Sequence, residues 1–61
     1  MDAKRVIAKL KASGWVLVSI NGSHHMFAKD GKKVPVPVHG SQDLKAGTLS
    51  ALQRQTGVKL K

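Results

Sequence analysis

The sequence predicts an α+β fold in which a helix, a three-stranded antiparallel sheet and a second helix follow in order, with both helices on one sheet face. Three observations predict it: an apolar stripe at helical spacing near the amino terminus, short β-rich runs joined at Asn-Gly and Asp-Gly, and a leucine stripe closed by glycine. The chain has 61 residues and no cysteine, near the lower limit for one apolar core without disulfides or metal. A single domain over 1–61 is expected, with any activity on an open surface.

From Asp2 to Ser13, the residues Ala3, Val6, Ile7 and Leu10 recur at i, i+3, i+4 and i+7, while Lys4, Arg5, Lys9 and Lys11 fill the opposite side. Asp2 suits the first turn, the lysines suit the last, and Gly14 is placed to end the helix in the left-handed conformation. The apolar stripe has no aromatic residue and three large side chains, which favours core packing over a membrane surface.

"WVLVSI", Trp15 to Ile20, is rich in β-branched residues and is followed by Asn21-Gly22, a hairpin signal. A second strand is expected from about Ser23 to Lys29, a second turn at Asp30-Gly31, and a third strand from Lys32 to His39. Pro35 and Pro37 cannot donate to a ladder. Their spacing of two aims both at the same side, so the third strand is read as an edge, with Val34, Val36 and Val38 pairing inward. The second helix, in "SQDLKAGTLSALQRQTG", carries Leu44, Leu49 and Leu52. It starts between Asp43 and Thr48, either of which can cap it, and Gly57 ends it, with Val58 making the accompanying apolar contact.

A two-residue turn at Asn21-Gly22 sets Ile20 opposite Ser23, Ser19 opposite His24 and Val18 opposite His25. Alternation then groups Val16, Val18, Ile20, His25 and Phe27 on one face, and Trp15, Leu17, Ser19, His24 and Met26 on the other. The first group holds three β-branched residues and the only phenylalanine, so it is the expected core face and His24 stands on the open one. A bulge near Gly22 would reverse the second strand. The open face would carry Trp15, Leu17 and Met26, so either Trp15 folds around the sheet end or a partner covers it.

Eleven Lys and Arg against three Asp give a formal net charge of +8. That balance points to a polyanion: nucleic acid first, an anionic membrane second, an acidic protein third. The stretch "MDAKRVIAKLKASG" breaks its apolar residues with charges every two or three positions, which suits neither a signal-peptide core nor a membrane span. A soluble, cytoplasmic protein is expected.

Three histidines, His24, His25 and His39, carry the remaining chemistry. Metal binding needs three or four converging ligands, and adjacent strand residues such as His24 and His25 diverge, so no metal is expected. A nucleophilic triad lacks a carboxylate placed to orient a base for Ser23. General acid–base catalysis on RNA asks for less, because RNA carries its own nucleophile in the 2′-hydroxyl and imidazole has an unperturbed pKa of about 6.5. A non-catalytic histidine that stacks on or hydrogen-bonds RNA remains the alternative. His39 is read as closing the third strand, with a second acid–base role as its alternative.

"GW" at Gly14-Trp15, "GSHH" at Gly22 to His25 followed by Phe27, "VPVH" ending at His39, and "KAGTL" at Lys45 to Leu49 with the closing "TGV" resemble the HicA-type toxins of bacterial toxin–antitoxin pairs. The similarity runs almost end to end. It implies a ribosome-independent mRNA interferase with a fold like the double-stranded-RNA-binding domain, so that 1–61 forms one HicA-like domain. The histidine after Gly-Ser, here His24, is the implied catalytic residue; His25 is not carried over. Ser23, Lys29, Lys32, Lys33 and Lys45 are the expected RNA contacts, together with Gly47 and Thr48 at the start of the second helix. The resemblance also implies a HicB-type antitoxin that covers the active face. The implied partners are thus mRNA and that antitoxin, with no membrane and no small-molecule cofactor.

Overall fold

A computed structural model describes residues 2–39 and 43–60. Its elements are α1 (Ala3–Ala12), β1 (Val16–Asn21), β2 (His24–Lys29), β3 (Lys32–Pro37) and α2 (Ala46–Thr56), the predicted order. The strands form one antiparallel sheet in the order β1-β2-β3. Among the described residues, no helix is long and apolar enough to cross a membrane.

Helix α1 opens at Asp2, whose carboxylate accepts the Arg5 N–H at 2.9 Å. That donor has no partner within the helix, so the bond satisfies it. At the other end, the Trp15 N–H donates to the Leu10 carbonyl at 2.9 Å and the Gly14 N–H to the Lys11 carbonyl at 3.1 Å. These are the two bonds of a Schellman end, and Leu10 and Trp15 are both buried beside it. The Lys29 ammonium donates to the Ser13 carbonyl at 2.6 Å, placing a cation at the negative end of the helix dipole.

Gly14 sits at φ +95°, and a Cβ there would lie 3.4 Å from Lys29 Cε. Replacing Gly14 with alanine is therefore expected to cost about 1–2 kcal/mol. A urea melt of Gly14→Ala checks this, and an unchanged midpoint would show that the helix end tolerates a side chain.

The second hairpin turns at Asp30-Gly31 as expected, with Lys29 opposite Lys32 and positive φ at both turn residues (52° and 82°). The first does not turn at Asn21-Gly22. Asn21 pairs with His24, so the turn residues are Gly22 and Ser23, and only Gly22 has positive φ, at 62°. The stretch Asn-Gly-Ser holds two overlapping turn signals, and the Gly-Ser one is used.

This shift corrects the register without changing parity near the turn: Ile20 still shares a face with its partner His25. Parity changes further along, because the register slips between Leu17 and Ser19 and leaves Val18 as an extra residue. Leu17, not Val16, therefore pairs with Phe27. The expected core residues of the first strand are instead exposed: Val16 by 60%, Val18 by 51% and Ile20 by 59%. Trp15 is 3% exposed and belongs to the core, which settles its alternative in favour of folding around the sheet end. On β2 the predicted faces hold, with Phe27 buried, His25 half-buried and His24 exposed.

One core lies on one sheet face. Phe27, Val34 and Val36 supply its sheet side, Val6 and Leu10 come from α1, and Leu49 and Leu52 from α2. Leu60 beyond α2 completes it, its N–H donating to the Gln53 side-chain carbonyl at 2.9 Å. Val38 donates its N–H to the Ser23 carbonyl at 2.7 Å, so the valines of the third strand do pair inward and Pro35 and Pro37 occupy the free edge. Regular pairing stops at Pro37 rather than His39. Neither Asp43 nor Thr48 caps α2: Lys45 holds the cap position without a side-chain bond, and Gly57 ends the helix by donating to the Gln53 carbonyl at 2.8 Å.

Candidate active site

His24 is the first residue of β2 and lies on the face away from the core. Its partners are Asn21 on β1 and Pro37 on β3. Directly opposite residues have Cβ atoms about 4.5–5.5 Å apart, so the exposed Asn21 amide is an immediate cross-strand neighbour of His24. Asn21 was hidden from sequence reasoning by its assignment to the turn.

Helix α2 and the proline edge of β3 enclose an open cleft of ≈ 390 Å³ that His24 also lines. Pro35 and Pro37 form one wall, and Gly47, Ala51 and Leu52 form the other. Thr48 and Gln55 supply its uncharged polar groups, and no lysine or arginine is among the described lining residues. A second cleft of ≈ 350 Å³ adjoins it through Pro37 and Thr48, and contains His39, Asp43 and Lys45. Tertiary packing thus gathers His24, Lys45, Gly47, Thr48 and His39 at one end of the sheet. Ser23 adjoins them in the turn, half-buried, with its carbonyl bonded to Val38.

The other predicted contacts stand apart. Lys29 and Lys32 pair with each other beside the second hairpin, five residues along the strands from the His24–Pro37 pair. That separation is roughly 17 Å. Lys29 is half-buried and bonded to the end of α1. Lys33 pairs with Ala28 and so shares the face of His24, whereas Lys32 alternates to the other face.

The open sheet face is mostly apolar rather than basic. Of its described residues, only Lys33 is a permanent cation, and Val16, Val18, Met26, Pro35 and Pro37 make most of the rest apolar. Among the described residues, no three His or Asp side chains group as a metal site would require. His25 points to the core side, where its Nδ1 has no partner among the described residues.

A family model described as the HicA toxin of bacterial toxin–antitoxin systems matches residues 3–58. No curated protein matches the chain at a significant level.

Proposed function

The chain belongs to the HicA toxin family of bacterial toxin–antitoxin systems, and from that premise we propose that it is a ribosome-independent endoribonuclease acting on mRNA, with His24 as its acid–base group. The observation that carries this reading is the position of His24. It is exposed, lies on the uncovered sheet face, and lines with Thr48 a cleft that shares Pro37 and Thr48 with the one holding Lys45.

In the proposed reaction, the imidazole removes the proton of a ribose 2′-hydroxyl. The 2′-oxygen bonds to the adjacent phosphorus as the P–O5′ bond breaks. The O5′ atom leaves with a proton from water, and the imidazolium returns its own proton to solvent. Products with a 2′,3′-cyclic phosphate and a 5′-hydroxyl follow. In this reading Lys45 and the backbone amides of Gly47 and Thr48, in the first turn of α2, hold a phosphate near His24. Ser23 lies beside them. Lys33 can follow the backbone across the open face, and Lys29 and Lys32 add positive field at the far hairpin.

The partner in this reading is an acidic HicB-type antitoxin that covers the His24 face. Exposed Val16 and Val18 lie on the β1 edge, which has neither proline nor charge, while β3 has two prolines on its free edge. An uncovered apolar surface and an unblocked edge both favour burial against another chain. The formal charge of +8 opposes self-association and favours an acidic partner.

Labelled single-stranded RNA incubated with the protein in EDTA tests the activity. Cleavage should proceed undiminished, because no step above uses a metal ion. Retention on a gel-shift with intact RNA on a denaturing gel would instead establish a non-catalytic RNA-binding module. Absence of both would leave only a protein-binding role.

A further inference from the structure

We propose that the cleft between the β3 prolines and α2 is a subsite for one unpaired RNA base, which sets the adjoining ribose and phosphate against His24. This deepens the endoribonuclease reading and rests on it.

The cleft's chemistry separates base from backbone. A phosphate is held best beside a lysine or arginine, and the described lining has neither; Lys45 lies in the adjoining cleft, which shares Thr48 with this one. Its walls are proline rings on one side and Ala51 and Leu52 on the other, flat or small apolar surfaces suited to the faces of an aromatic ring. Thr48 and Gln55 provide uncharged hydrogen-bonding groups, and an amide can both donate to and accept from a base edge. The volume of ≈ 390 Å³ falls within the range of small-ligand pockets.

Gly47 adds an independent observation. It lies within α2, where glycine is a poor helix former, yet a Cβ there would meet no atom within 4 Å. Packing within the chain therefore does not account for a glycine at this position, and the bare backbone leaves the cleft wall open to a ligand. A base inside a duplex is stacked on both faces and cannot enter, so the subsite selects single-stranded RNA.

The test uses 2′-fluoro oligonucleotides, which lack the attacking hydroxyl and so bind without being cut. An abasic residue is placed at each position in turn. One position should weaken binding about fivefold or more, and Ala51→Leu, an exposed change to a good helix former, should remove that sensitivity by filling the cleft. Equal binding of every abasic oligonucleotide, unchanged sensitivity in Ala51→Leu, or equal binding of the matching duplex would each overturn the subsite. Cleavage of ordinary RNA by the parent protein is scored separately. Its absence would sink the nuclease reading, while the binding series would still report on the cleft.

Discussion

His24→Ala is expected to slow RNA cleavage by about 100- to 10,000-fold, the range supplied by a positioned acid–base group. The same change should barely affect the fold. His24 is exposed, contributes nothing to the core, and begins a strand, where the cost of alanine is at most about 1 kcal/mol. His25→Ala is the matching control. That ring is half-buried on the opposite face, so its loss should lower the melting temperature and leave the rate per folded molecule near the parent value. Single-turnover cleavage with a thermal melt on each variant separates the two effects. Parent-rate cleavage by pure His24→Ala protein would remove His24 from the chemistry.

Phe27→Ala should unfold most of the protein. Phe27 is fully buried at the centre of β2, between Leu17 and Val34, and is the largest of the fully buried side chains. Truncating a buried phenylalanine costs about 3–5 kcal/mol, while a core of this size supplies no more than about 3–5 kcal/mol of net stability. The two magnitudes are equal within their spread, so circular dichroism at 25 °C should show a largely unfolded chain. A cooperative melt near the parent midpoint would contradict the central place given to Phe27. A partner that binds only the folded chain should restore part of the structure in proportion to its concentration.

Local chemistry made much of the fold legible. The stripe Ala3-Val6-Ile7-Leu10 and the capping pair Asp2 and Gly14 define α1, and Asp30-Gly31 forms the expected turn. The two-residue proline spacing identified an edge strand because backbone direction alternates with the same period. His24 could be placed on the open face because two corrections to the first hairpin left β2 unaffected. The turn moved by one residue, which shifts the pairing sum by two and preserves parity near His24. The bulge at Val18 then reversed only the far half of β1.

The gathering of the site was not legible. Pro35, Ala51 and Gln55 are separated along the chain and carry no motif, and Asn21 was concealed within a turn signal. Lys29 read as an RNA contact because charge is all that a lysine shows in sequence, whereas its ammonium is bonded to the end of α1.

By itself, then, the sequence determined the element order, the edge character of the third strand, the side of the sheet on which His24 stands, and the family. These depend on backbone periodicity and local conformation, which a residue and its near neighbours specify. Tertiary structure alone decided that Trp15 is buried and Leu17 packs half-buried against the core while Val16 and Val18 are exposed, and that His24 shares a cleft with α2. Burial is chosen by the best-fitting sum of apolar contacts across distant segments, and the bulge at Val18 turns Leu17 to the core side, where Trp15 also packs.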